Sequence, residues 1–447
     1  MVFAFFKRLF GGGDKAAPAP AVAPERTAAK VPPAATSAPV SASREAPRAE
    51  PGVVVQRDEM IDARARIAGY RFSGQRLSGG APLSPQAVVT ALGNDNLQGV
   101  VQRRQAVIAL APGDWFDADF AQFIGPNSAF FIAMPPATER ERWTRAVSAI
   151  KAAGGRVAVD GAALDACPVA PDVLLLDFTA YPLEAFERVV KHALATHPGL
   201  AIAVDGVASW DEQRLCHSQG VRHALGGFVA TPDTQVQGER LNQSRMVLVE
   251  MLNLLRRDGT PAEIAAVAKR DPGVAVKILG MANSPMSGLT APVASVERAM
   301  MVLGRESLYR WLSLAMFRAG AADSRDETLL ELALFRGRFI ELMATGNRSK
   351  AECDELFLVG LLSLVDNLLG LPMAEVVGKM HLPQAVADVL LGNGGPYSRW
   401  LLLALAVERG KIERAAELIA TLSLDADRLE ECVTAARAWA EEALQNS

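Results

Sequence analysis

The chain is poor in several chemically useful residues. Among 447 residues there are four cysteines and five histidines, and aromatics make up 6%. The cysteines (Cys167, Cys216, Cys353, Cys432) are far apart, with no C-x-x-C pair. That excludes a disulfide scaffold and argues against a structural zinc site. Isolated thiols with no adjacent base read as small apolar residues rather than nucleophiles. Four histidines (His192, His197, His217, His223) fall near helix ends and turns, and read as solvated loop positions. Only His381 serves the C-terminal half, where it reads as a surface or helix-edge residue. No run of 18 uninterrupted apolar residues occurs, so no bilayer-spanning helix is expected. The N-terminus has neither the charge pattern nor the cleavage site of a signal peptide, so a cytoplasmic location is expected.

Half of the chain is hydrophobic and 21% charged, with formal net charge −4. That apolar fraction supports sizeable cores, and the length suits two or three domains. Residues 1–51 carry seven Lys/Arg against four Asp/Glu, whereas the remainder has 39 basic and 46 acidic residues. An acidic body offers no footprint for nucleic acid. Residues 16–51 contain thirteen Ala and eight Pro. Such a segment buries too little to offset its ordering entropy and reads as an extended, disordered tether. It carries a head, residues 1–10, in which Phe3, Phe5, Phe6, Leu9 and Phe10 flank Lys7 and Arg8. An aromatic-basic helix of this kind suits contact with a membrane surface or a partner groove. A frayed terminus is the alternative.

From Val53 to about Pro232, short apolar runs alternate with helical stretches. Strands are predicted at 107–111, 129–133, 156–160, 173–177, 200–205 and 226–230. Helices are predicted at 84–92, 138–153, 182–195 and 209–219, with Thr138 ahead of two acids at a helix start and Gly154-Gly155 at its end. This alternation predicts a parallel sheet, either open or closed as a (β/α) barrel. Three strands end in aspartate (Asp160, Asp177, Asp205), at the end where such folds build their sites. From about Gly238 the strand pattern stops and helical spacing takes over. Thr260-Pro261-Ala262-Glu263 reads as an N-cap, a proline at the first helical position and a capping-box acid.

The order of strand ends over residues 52–235 resembles the EAL domain, a (β/α) barrel that hydrolyses cyclic di-GMP. That resemblance implies two divalent metals held by acids and an Asn on the strand ends. The signature E-x-L-x-R falls on Gly69-Tyr70-Arg71-Phe72, so Arg71 stands in place of a metal-binding Glu and Gln75 in place of the arginine. The Asn and Glu positions of the next strands fall near Ala109 and Ile132. The Asp-Asp pair becomes Asp160-Gly161, the K-x-D ends on Asp177, the E-x-V-E begins at Asp205, and the Gln-Gly becomes Gly226-Gly227. At most three carboxylates survive, and a permanent cation has entered the first strand. The barrel therefore reads as degenerate. Arg71 is free either to pair with Asp160 or Asp205 in the barrel mouth or to sit solvated at a strand end.

Over residues 238–443, Asp271-Pro272-Gly273-Val274-Ala275-Val276-Lys277-Ile278-Leu279, then Ala282-Asn283-Ser284 and a helix ending at Gly304, resemble the HDOD domain of bacterial signalling proteins. Gly360-Leu361-Leu362-Ser363-Leu364 is similar to the G-L-L-H-D segment of HD-GYP phosphodiesterases, with Ser363 and Leu364 where His and Asp would stand. One imidazole in this half cannot assemble an HD-type metal site. Asn-Ser-Pro at a helix end reads as capping. Met281, Met286, Met300, Met301 and Met316 read mainly as core, with an adaptable binding surface as the alternative.

The combination resembles bacterial EAL-HDOD signalling proteins. It implies a non-catalytic regulator or scaffold that acts on other signalling proteins, in a pathway tied to cyclic di-GMP, motility or biofilm. The expectation includes no enzyme activity, no metal and no cofactor, and cyclic di-GMP is not an expected ligand. The alternative is a residual cyclic-di-GMP receptor or weak phosphodiesterase. Peripheral membrane or partner contact through residues 1–10, and homo-oligomerisation, are left open.

Overall fold

The computed structural model describes residues 53–76, 83–233, 243–283, 293–319 and 324–445. The readings of residues 1–51 as head and tether, and those of Ser284 and Met286, lie outside the described residues.

Eight strands close a barrel in sequence order: β1 Val53–Ile61, β2 Ile67–Arg76, β3 Gln105–Ala109, β4 Ser128–Phe131, β5 Arg156–Asp160, β6 Val173–Asp177, β7 Ala201–Asp205 and β8 His223–Ala224. β1 runs antiparallel to both neighbours, β2 and β8, and the remaining pairs are parallel. The helices of this half are α1 Pro85–Asn94, α2 Leu97–Arg103, α3 Asp114–Asp117, α4 Arg140–Ala152, α5 Leu183–Thr196 and α6 Trp210–Ser218.

Strand alternation sorts the side chains. Val157, Val159, Leu174 and Leu176 face outward into the core against the helices. Ala129, Ala158, Ala201 and Ala203 point inward, where small residues with Met60, Val107 and Leu175 fill the barrel. Strands β5 and β6 have the bounds the sequence predicts.

Three expectations need correction. Residues 227–230 form a 3-10 turn, and the last strand is His223–Ala224 just before it. Gly226 takes a φ of 145° there, and a Cβ on it would lie 2.0 Å from the Val207 carbonyl oxygen, so the chain turns instead of extending. The helix expected from Thr138 starts at Arg140, after a 3-10 turn over Ala137–Glu139, with no side-chain cap. His223 is buried inside β8 rather than solvated.

The second half is all helical: α7 Gln243–Arg256, α8 Pro261–Ala268, α9 Pro272–Ala282, α10 Val296–Leu303, α11 Arg305–Arg318, α12 Ser324–Ala344, α13 Lys350–Leu362, α14 Val365–Leu369, α15 Met373–Lys379, α16 Gln384–Leu390, α17 Ser398–Glu408, α18 Ile412–Thr421 and α19 Arg428–Gln445. Thr260 and Glu263 form the expected capping box on α8, and Ser349 and Glu352 form a second on α13. No helix among the described residues is long and apolar enough to cross a membrane.

A hairpin joins β1 to β2 with no helix between them. The helical half packs against both faces of this hairpin. Val54 belongs to the helical core that includes Phe335, Phe339 and Trp400. Thr328 Oγ1 donates to the Ala65 carbonyl at 2.9 Å, and Asn367 Nδ2 donates to the Ala230 carbonyl at 3.0 Å. The two halves therefore share one interface at the start of the barrel.

Candidate functional site

The mouth of the barrel lies where the parallel strands end. Inward parity places Asp58 of β1, Arg71 of β2 and Asp205 of β7 together there. Arg71 Nε donates to Asp58 Oδ2 at 2.9 Å, and Arg71 Nη1 donates to Asp205 Oδ2 at 2.6 Å. Burial opposes the Arg71 charge, but Asp58 and Asp205 more than offset it, and its pKa rises above the usual arginine value. Of the two pairings open in the sequence, Asp205 is the one formed.

The other strand-end aspartates bind backbone. Asp160 accepts from the Met134 and Ala163 N–H groups, each at 2.8 Å. Asp177 Oδ1 accepts from the Thr179 N–H at 2.9 Å and its hydroxyl at 2.7 Å. Their oxygens hold the loops after β5 and β6. Gln75 lies near the end of β2 opposite Val54, in the part of the hairpin that runs beyond β3. Among the described residues no three His, Cys, Asp or Glu side chains converge as metal ligands. A guanidinium between Asp58 and Asp205 does not fit a pair of divalent cations, because it adds charge of the same sign where the metals would need anionic ligands.

The matching region of the helical half has a similar arrangement. Arg336 of α12, 2% exposed, makes a bidentate pair with Glu408 of α17 at 2.6 and 2.7 Å. Its Nη1 donates to Ser363 Oγ at 2.9 Å, and Ser363 Oγ donates onward to the Gly360 carbonyl at 2.7 Å. Ser363 thus works as a relay to a guanidinium, and Leu364 is buried apolar core. Neither residue presents a metal ligand.

The two arginine sites are connected. Gln56 of β1 is 2% exposed. Its Nε2 donates to the Glu408 carbonyl at 2.9 Å and to Asp58 Oδ1 at 3.0 Å. A continuous path runs from Ser363 through Arg336, Glu408, Gln56, Asp58 and Arg71 to Asp205. Beside it, the outer face of the hairpin is held by a second set of charges. Arg57 Nε donates to Asp95 Oδ2 at 2.6 Å and its Nη1 to Glu441 Oε1 at 2.7 Å. Arg437 of α19 donates to the Val55 carbonyl at 2.9 Å. The Tyr70 hydroxyl bonds Glu331 and Arg104, which also pair with each other at 3.0 Å.

The HDOD motif positions have local roles. Asp271 caps α9 by accepting from the Gly273 N–H at 2.9 Å and the Val274 N–H at 3.2 Å, and Pro272 opens the helix. Asn283 bonds both backbone groups of Val293, at 2.5 and 2.8 Å. Gly304 joins α10 to α11 at a φ of 77°. His381 lies against Arg257 at the surface. Met300 and Met316 are core, whereas Met301 is 66% exposed.

Sequence reading missed Gln56, Asp58, Arg336 and Glu408. Asp58 was accessible in principle, through the alternation of β1. The partnership of Arg336 with Glu408 spans 72 residues and leaves no local pattern.

The fold defines the class: an eight-stranded, EAL-like barrel fused to an all-helical domain. Residues 241–377 match the family model of the HDOD domain, so the helical half contains an HDOD domain. An uncharacterized Bacillus subtilis protein, YuxH, is 26% identical over 273 residues, covering 60% of this chain and 65% of its own. The cyclic di-GMP phosphodiesterase CdgJ of Vibrio cholerae is 21% identical over 271 residues, covering 60% of this chain and 62% of its own. Each match spans less than two thirds of the relative's length. Similar solved structures include the FimX EAL domain of Xanthomonas citri in complex with c-diGMP, at 14% identity and TM-score 0.31 over 39% of this chain and 85% of that one. The EAL domain of Mycobacterium smegmatis DcpA is similar at 16% identity and TM-score 0.32, over 39% of this chain and 90% of that one.

Proposed function

We propose that this chain is a non-catalytic signal-transduction regulator that acts through protein-protein contacts in a pathway linked to cyclic di-GMP. One observation carries the reading: Arg71 lies in the barrel mouth, paired with Asp58 and Asp205. A phosphodiesterase built on this scaffold needs divalent cations there to polarise the phosphate and activate water. The guanidinium supplies positive charge but neither an open coordination position nor an acidified water. Arg336 gives parallel support, since it spends its charge on Glu408 beside Ser363.

The second reading, a residual receptor or weak phosphodiesterase, draws on CdgJ's name and on Asp160, Asp177 and Asp205 at the strand ends. Hydrolysis of cyclic di-GMP by the full chain with Mg²⁺ or Mn²⁺, together with calorimetry, separates the two. The regulator reading expects no turnover. Metal-dependent turnover that disappears in Asp160→Ala, or binding tighter than about 10 μM, overturns it.

A further inference from the structure

A cavity lies at the opposite end of the barrel from the mouth. Its volume is about 570 Å³, within the roughly 300–1,000 Å³ range of small-molecule sites. The barrel contributes Arg66, Ile67 and Arg104, which lie where the parallel strands begin. The other walls come from α9, α11, α12 and α19, so both halves of the chain line it.

Most of its charges are already matched. Arg104 pairs with Glu331 at 3.0 Å, Arg66 with Asp62 at 2.7 Å, and Asp326 with Arg245 at 2.7 Å. Two cations are left over. Lys277 makes no ion pair or hydrogen bond among the described residues. Arg318 donates to the Ala443 carbonyl at 2.6 Å but pairs with no carboxylate among the described residues. Burial of the Arg318 guanidinium lowers its pKa, and the field of Glu327 offsets this only in part. Glu327 is the only acid of the lining without an ion pair among the described residues, so the lining carries surplus positive charge. Between the charged groups lie the buried side chains of Ile67, Phe317 and Leu330, which form an apolar wall.

We infer that this cavity binds a small organic phosphomonoester, its phosphate held by Lys277 and Arg318 and its flat apolar body against Phe317 and Leu330. Two cations that make no ion pair with a carboxylate among the described residues match a dianion better than a single carboxylate. The apolar wall selects an organic ester over free phosphate. A ligand here touches both the barrel and the HDOD domain, so its binding is linked to how firmly the two halves hold together.

Calorimetry of the full chain with 5′-AMP as probe, against adenosine and inorganic phosphate, tests this. One saturable site for 5′-AMP is expected, with adenosine and phosphate each binding at least tenfold more weakly. Lys277 is exposed, so Lys277→Glu is expected to fold normally and to weaken 5′-AMP at least tenfold. Glu327→Gln is expected to tighten it. Arg71→Ala, at the far end of the barrel, is expected to leave it unchanged, whatever the fate of the regulator reading. Absent 5′-AMP binding, equal binding of phosphate, an unaffected Lys277→Glu variant, or loss of binding in Arg71→Ala each overturns the inference.

Discussion

Gln56 Nε2 sits between the Glu408 carbonyl, at 2.9 Å, and Asp58 Oδ1, at 3.0 Å. One buried amide thereby joins the carboxylate that holds Arg71 to the backbone of the residue that holds Arg336. Gln56→Leu removes the donor and leaves a carbonyl and a carboxylate oxygen short of a partner. Urea denaturation is expected to show a loss of about 1–3 kcal/mol, the cost of unsatisfied buried polar groups. If the Arg336→Met and Arg71→Met effects on stability are strictly additive in a double-mutant cycle, the path between them carries no coupling.

The neighbouring Arg57–Asp95 pair is almost wholly buried, with side chains 6% and 1% exposed. Glu441 joins it from α19, at 2.7 Å. Arg57→Met leaves buried Asp95 with only the longer contact to Arg437, at 3.4 Å, at the interface between the halves. Breaking a buried pair from one side costs about 3–5 kcal/mol. A loss below about 1 kcal/mol in thermal or urea unfolding contradicts a clamping role.

Two groups, the partly buried Glu59 and the buried His223, make stability depend on pH in opposite directions. Burial, with the Glu408 charge nearby, pushes the Glu59 carboxyl from 4.5 up to about 8. The folded chain keeps this proton while the unfolded chain releases it, so stability falls as pH rises from about 4.5 and levels off above about 8. Glu59→Gln is expected to remove that slope and to be more stable than the parent at pH 8.5 by about 1 kcal/mol or more. Burial, with Arg222 nearby, pushes the His223 imidazole from 6.5 down to about 4. Here the unfolded chain takes up the proton first. Stability therefore falls as pH drops from about 6.5 to about 4, and His223→Gln is expected to flatten that limb. Denaturation midpoints across pH 4–9 read both slopes.

The crossing of α12 and α13 depends on Gly360. A Cβ there would lie 2.4 Å from the Gly337 backbone nitrogen, well inside contact distance. Gly360→Ala is expected to force the helices apart and cost about 1–3 kcal/mol or more. Because Ser363 lies one turn on, the same variant is expected to loosen the Arg336–Ser363 contact. Unchanged stability in calorimetric melting contradicts the close packing.

Much of the fold was legible because it is periodic. Strands β5 and β6 appear at their predicted bounds, since short branched runs with terminal aspartate leave little choice of conformation. The capping box at Thr260 follows from chemistry confined to four residues. The β1–β2 hairpin was harder to read, because Arg57, Asp58 and Glu59 interrupt its apolar pattern. Those charges are there to meet the helical half or Arg71, and such partners leave no mark in local sequence. The 3-10 turn after Gly226 imitates a strand in composition, and its conformation is set by the approach of the Val207 carbonyl. In the candidate site, Arg71 could be named from the resemblance to the EAL signature and Asp205 from its place at a strand end. Gln56, Arg336 and Glu408 could not, because their partnerships join distant parts of the chain.

We propose that the Arg71 guanidinium takes the place of metal in the barrel mouth. Mn²⁺ titration of the full chain, with cyclic di-GMP hydrolysis followed in the same samples, tests it most directly. The expected result is no stoichiometric Mn²⁺ binding and no hydrolysis by the wild-type chain, while Arg71→Glu gains measurable Mn²⁺ affinity. Stoichiometric Mn²⁺ binding accompanied by hydrolysis in the wild-type chain would contradict it.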